Sequence, residues 1–187
     1  MTENRSLIRL VERDPRVKDV VPSGVIEIAQ SSIVWHLRAG EAVRVRDDCH
    51  VLGGPDCPVR FGDHVYINRG CTLQGMSAPL VLGNRVTLAI GVIIQTDSGP
   101  NTSPLLQRHY PIQAGPITIE DDVWLGNRVT IAPGVRIGCG SVVGAHTYVR
   151  KDVPPRVVVA GSPARIIYRL EDGEKLPPEV LDQVHSD

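Results

Sequence analysis

Two groups of side chains in this sequence could carry chemistry. Six histidines, His36, His50, His64, His109, His146 and His185, can exchange a proton near neutral pH. A cluster of cations, Arg150, Lys151, Arg156, Arg165 and Arg169, gathers toward the C-terminus. A histidine that takes the proton of a hydroxyl turns a weak nucleophile into one able to attack a carbonyl carbon. Guanidinium forks and an ammonium held together suit a phosphorylated ligand, although a solvated face carries the same residues. No two histidines have the tight HxxxxH spacing of a shared metal, and Cys49, Cys57, Cys71 and Cys139 form no CxxC. No metal site is therefore expected. Neither Cys71 nor Cys139 stands beside a group that would activate a thiol, and the cysteines are expected to be small buried hydrophobes.

His109 is the one histidine within "QTDSGPNTSPLLQRHYPIQAGP", residues 95–116, a stretch that interrupts an otherwise regular text. Gly99 and Pro100 stand at one end of it, Gly115 and Pro116 at the other. Such a loop could fold His109 back into a groove, since long excursions usually serve function. Asp97 at its opening is a second candidate base. His50 and His64 occupy turn-like positions expected in solvent, while His36 has no assigned place.

The elements that must position these groups follow from a period of six. Ile119, Leu125, Ile131, Ile137, Val143 and Val149 return at every sixth position. Val123, Val129, Val135, Ser141 and Thr147 come four residues after each beat, with turn formers such as "GN", "PG" and "GA" between. This is neither the period of a helix nor that of a lone strand. It suits short extended segments joined by tight turns, three to a triangular coil, each sending one aliphatic inward. Upstream the beat runs through Phe61, Ile67 and Leu73, then Leu82, Leu88 and Ile94, with a bulge expected at "QGMSAP". Val45 and Val51 fit an earlier coil. The reading is an all-β, left-handed parallel β-helix of hexapeptide coils with a short N-terminal helix and a C-terminal strand and helix as cap. One domain is expected over 1–187, with lead-in 1–24, β-helix 25–160 and cap 161–187. Leu7, Leu10 and Val11 behind Ser6 give the N-terminal helix, and "PPEVLDQV" the last one.

Bulk composition narrows the function classes. The net charge is −1, so neither a nucleic acid nor a membrane surface is an expected partner. No segment approaches the apolar length of a membrane span, and "MTENRSLIRL" lacks a signal-peptide core, so a cytoplasmic protein is expected. Aromatics make up 4% against 18 Gly and 15 Pro, which favours short strands and turns over a helical bundle.

The stretch "ITIEDDVWLGNRVTIAPGVRIGCGSVVGAHTYVRKDVPPRVVVAGSPARII" resembles the hexapeptide-repeat acyltransferases. "VWLG", "KDVPP" and "AGSPAR" are similar to the sugar and lipopolysaccharide O-acetyltransferases, the galactoside and maltose acetyltransferases among them. The resemblance implies a homotrimer with a groove between neighbouring subunits, acetyl-CoA as co-substrate, and a hydroxyl of a sugar, glycan or similar polar acceptor attacking it directly in a ternary complex. It implies that Asn127, Ala145, Arg150, Lys151, Arg165 and Tyr168 line the coenzyme site, Tyr168 standing where a basic residue is usual. Asn68 would contact the acceptor, and Trp124 would form a wall of the site or interface. His146 replaces a small residue beside Ala145; it is expected either as an exposed turn residue or as a group that touches coenzyme A or narrows its channel. The family's histidine base belongs at the opening of the excursion, where this chain reads "QTDSGPN". That leaves His109, or Asp97 alone or paired with a histidine of a neighbouring subunit, or no conventional base. The alternative function is a trimeric β-helix that binds coenzyme A or an acyl ligand without turnover. The acidic residue that galactoside enzymes carry falls at Gly75–Met76 here, so the acceptor is expected to differ.

Overall fold

A computed structural model describes residues 15–171 and 175–185. The helix expected near Leu7 lies outside the described residues. Between Ile26 and Ala160 the chain winds as a parallel β-helix with three faces; the middle coils give one short strand to each, while Ile33–Ala39 serves two faces of the first coil and the last coil reaches the third face through the Ile137–Val153 bridge. The first face stacks from Ile26–Ile28 to Val157–Ala160, and the second runs from the start of Ile33–Ala39 through His50–Gly53 to Tyr148–Val149. The third includes Val59–Phe61, Leu80–Leu82, Ile117–Ile119 and Arg136–Ile137.

Register converts the period into columns. Ile67, Leu88, Leu125 and Val143 lie over one another on the first face, and Leu73, Ile94, Ile131 and Val149 on the second. All eight are 0–1% exposed. Ser141 and Thr147 are buried in the column where smaller residues return after each beat. Both serve the last coil: Ser141 Oγ donates to Pro154 O at 2.8 Å, and Thr147 Oγ1 accepts from Gly161 N at 3.1 Å. Ser32 does the same at the first coil, accepting from Cys49 N at 2.9 Å. Hydroxyls thus enter the core where buried backbone groups need partners.

The corners decide which residues the turns accept. Asp48, Gly70, Gly91, Arg128 and His146 hold the same place between the first and second faces, all with positive φ. Ala42, His64, Arg85, Asp122, Gly140 and Arg156 do so between the third and first faces. No β-branched residue stands at either corner, as the left-handed region requires. At the latter corner side chains also tie coil to coil. Glu41 N donates to Asp63 Oδ1, Asp63 N to Asn84 Oδ1, and Asn84 N to Asp121 Oδ1, at 2.8–2.9 Å. Gly83 is required there, because a Cβ would lie 2.9 Å from the Asp121 nitrogen.

Both ends of the stack are covered. Val17–Pro22 pairs in parallel with Ile33–Ala39, and Asp19 Oδ2 meets His36 Nδ1 at 2.9 Å and Arg38 Nη2 at 3.0 Å. His36, unassigned from sequence, therefore clasps the first coil. Arg165–Arg169 runs antiparallel to Val157–Ala160. The helix Pro178–His185 then sets Val180 and Val184 against Val158. The expected burial of all cysteines needs correction. Cys49 and Cys71 are buried in the column, but Cys57 is half-buried and Cys139 exposed, since both stand in turns.

Truncating a stacked aliphatic should leave a cavity that rigid neighbouring coils cannot close. Leu73→Ala is expected to cost about 2–5 kcal/mol, read from the denaturant midpoint. Hydrogen bonds from His36 and Arg38 hold the Asp19 carboxyl below its ordinary value, that from the Asn84 backbone holds Asp121 below, and that from Arg85 holds Asp122 below. The folded state then binds fewer protons than the unfolded chain near their ordinary pKa, so this stabilisation is complete above that range and lost as pH falls through the lowered values. The melting temperature should drop on acidification below about pH 5, and less steeply in Asp121→Asn/Asp122→Asn.

Candidate active site

Residues 54–58, 76–79 and 96–116 all leave the coils at one corner, between the second and third faces. The longest is an ordered arm, not a structureless loop. Asp97–Ser98 pairs antiparallel with Gln113–Ala114 as a neck, and between them lies a helix, Pro104–His109. Ser103 caps this helix by accepting from Leu106 N at 3.2 Å, and Pro104 follows where its missing N–H costs nothing. Gln107 Nε2 pins it to Pro100 O at 2.9 Å and Asn101 O at 3.1 Å. Beneath the neck, buried Thr96 donates to Gln74 O at 3.2 Å, and Gly115 returns against Gly134 so closely that a Cβ would lie 2.8 Å from its Cα.

The arm walls a cleft of about 520 Å³ against the second face. His109, Tyr110, Ser98 and Gln113 line it from the arm, and Tyr148, Ala132 and Arg150 from the coils. A smaller cleft of about 230 Å³ lies toward the C-terminus, lined by Arg150, Lys151, Asp152 and Arg165. Arg150 lines both. Asp152 commits one oxygen to Arg136 N at 2.8 Å, while no ion pair within the described residues engages Arg150, Lys151 or Arg165. A net positive lining remains, chemically suited to phosphate groups.

The other sequence-predicted residues lie apart from these clefts within one chain. Asp97 does not line the His109 cleft; its carboxylate accepts from the Ser77 hydroxyl of the preceding coil. Asn68 and Asn127 occupy the opposite corner of the second face, with Ala145 and His146. Both amide oxygens serve the turns: Asn68 Oδ1 accepts from Arg69 N at 2.9 Å and Asn127 Oδ1 from Ile90 N at 3.1 Å. Ala145 N donates to Val184 O at 2.9 Å, so the C-terminal helix takes its amide. Trp124 and Tyr168 pack against the same helix around Val158 and Val184. His146 and His64 are exposed in positive-φ turns. Cys71 is 0% exposed with its thiol donating to Ala89 O, out of reach of a substrate. Sequence reading missed Tyr148, Tyr110 and Ser77. Tyr148 was findable, since it precedes the Val149 beat and so points outward two residues before Arg150.

Residues 116–151 match the family model described as bacterial transferase hexapeptide (six repeats). Galactoside O-acetyltransferase of Escherichia coli (strain K12) is 36% identical over 117 residues, 63% of this chain and 57% of that enzyme. The galactoside O-acetyltransferase of Lactococcus lactis subsp. lactis (strain IL1403) is 37% identical over 116 residues, 62% and 55% of the two chains. The chain thus spans little more than half the length of these relatives. Among solved structures, a maltose O-acetyltransferase from Clostridium difficile 630 superposes with TM-score 0.56 at 25% identity, over 90% of this chain and 84% of that one. A galactoside acetyltransferase in complex with coenzyme A gives 0.53 at 26%, over 91% and 73%.

Docking of the C-terminal helix generates a test. Val184→Asp should expel the helix and speed hydrogen exchange at the Ala145 amide while leaving that of Leu125 slow. The hexapeptide repeat over residues 116–151, the coil stack and the sequence likeness together make the chain similar to the hexapeptide-repeat acetyltransferases.

Proposed function

We propose that the chain transfers the acetyl group of acetyl-CoA to a hydroxyl of a sugar, glycan or similar polar acceptor, in a cytoplasmic homotrimer. The observation that carries this reading is the pair of adjoining clefts that share Arg150, one basic and one holding a histidine. Lys151, Arg165 and Arg150 would hold the donor's phosphates. His109 would take the acceptor proton as its oxygen attacks the thioester carbonyl, and return that proton to the departing thiolate sulfur. No acyl-enzyme is required. Asn127 and Ala145 would meet the donor, and Asn68 the acceptor, across the interface with a neighbouring subunit. Tyr168 and Trp124 would act at second hand there, by seating the C-terminal helix. Asp97, held by Ser77, is the weaker base of the two. Among the described residues no helix is long and apolar enough to cross a membrane, which is compatible with the proposed setting.

The coenzyme A relatives support the donor, since the galactoside acetyltransferase at 26% identity was solved with that molecule. The absence of histidine from "QTDSGPN" favours a second reading, a protein that binds coenzyme A without turnover. Two measurements separate them. Coenzyme A at about one hundred times its Kd should stabilise the fold by about 2.7 kcal/mol, seen as a raised Tm, and Lys151→Ala should weaken binding roughly tenfold. Thiol release from acetyl-CoA with an acceptor panel should fall by about 10²–10⁴-fold in His109→Ala. Full turnover in that variant overturns the base assignment; a raised Tm with no thiol release in the wild type overturns the enzyme.

A further inference from the structure

From the charges around the arm cleft we infer that the acceptor is an anion as well as a polyol: a hydroxylated compound bearing a phosphate or carboxylate, held by Arg150. This rests on the reading of that cleft as the acceptor site. Ser98, Tyr110, Gln113 and Tyr148 offer neutral polar groups, His109 the proposed base and Arg150 a fixed cation; no acidic side chain lines the cleft. The carboxylates nearest in sequence are both turned to other partners. Asp97, the only acid of residues 95–116, accepts from Ser77, and Asp152 gives an oxygen to Arg136 N. The arm's own fixed cation, Arg108, adjoins His109 at the basic end of its helix and pairs with no acid among the described residues.

A neutral sugar entering such a cleft would strip water from Arg150 and return nothing to its charge. An anion would restore the lost hydrogen bonds with charge-assisted ones, and specificity would follow from the difference. One guanidinium carries five N–H donors in a planar fork. Standing between the clefts, Arg150 can face a donor phosphate on one side and the acceptor's anion on the other, which would fix the two substrates relative to each other. Phenol, amide and hydroxyl groups along the wall would then read the acceptor's neutral hydroxyls.

The test is thiol release at saturating acetyl-CoA with matched panels of hexoses, their phosphates and their uronic acids. Anionic members should exceed their neutral counterparts in kcat/KM by about tenfold or more, and the margin should shrink with added salt. In Arg150→Gln that margin should collapse; in Lys151→Gln it should persist while the KM for acetyl-CoA rises. The phosphate and uronate arms decide which anion is preferred. Equal or better use of neutral hexoses, or a margin that survives Arg150→Gln, overturns the inference and leaves acetyl transfer standing. Turnover with none of the panel, despite coenzyme A binding, overturns the acceptor-site reading and the inference with it.

Discussion

A coil that gives each face only two or three ladder residues cannot hold its shape alone. Its backbone groups point along the stack, so those of Thr87–Leu88 need a coil on either side: Thr87 N donates to Val123 O of the next coil, and Leu88 O accepts from Asn68 N of the one before. Register is therefore set by neighbours, and a slip of one residue would throw a whole column of aliphatics into water. The fully buried column from Leu73 to Val149 penalises such a slip at every level. Rigidity of the stack then fixes where each outward side chain stands, Tyr148 and Arg150 included.

The same constraint explains the polar residues at the ends. Mid-stack positions of the small-residue column hold Val92 and Val129, because adjacent coils satisfy the backbone. At the first and last coils no further hexapeptide follows, and Ser32, Ser141 and Thr147 supply the bonds it would have made. The clasp of Asp19 with His36 and Arg38, and the docked C-terminal helix, close what remains of the edges.

The stack was legible in the sequence wherever a strict six-residue step survived: every beat from Ile119 to Val149, and from Phe61 to Ile94, is an inward residue. Earlier coils were under-read. Val45 and Val51 belong to a complete coil, and another precedes it from Ile26, but the insertion at residues 54–58 and the His36 turn break the count. In the site, the C-terminal cations were legible as a cluster because they are near in sequence. The approach of His109 to Arg150 was not, since it depends on the arm's neck and helix, for which no period exists. Asn68 and Asn127 matched by motif, yet their carbonyl oxygens serve turns, a detail only coordinates reveal. The helix over Ala145 was expected as a cap, but not as a competitor for its amide.

The arm's neck has a consequence for how such a protein can diversify. Chain leaves the stack at Gln95 and rejoins it at Ile117, between coils whose pairing never lapses: Ile94 lies between Leu73 and Ile131, and Ile119 between Leu82 and Ile137. Everything beyond Asp97 and Ala114 is outside that scaffold, and lengthening a closed loop costs only about 0.6 kcal/mol per doubling. Grafting a different hairpin onto this stem would remodel the wall of the His109 cleft while the winding beneath it stays unaltered.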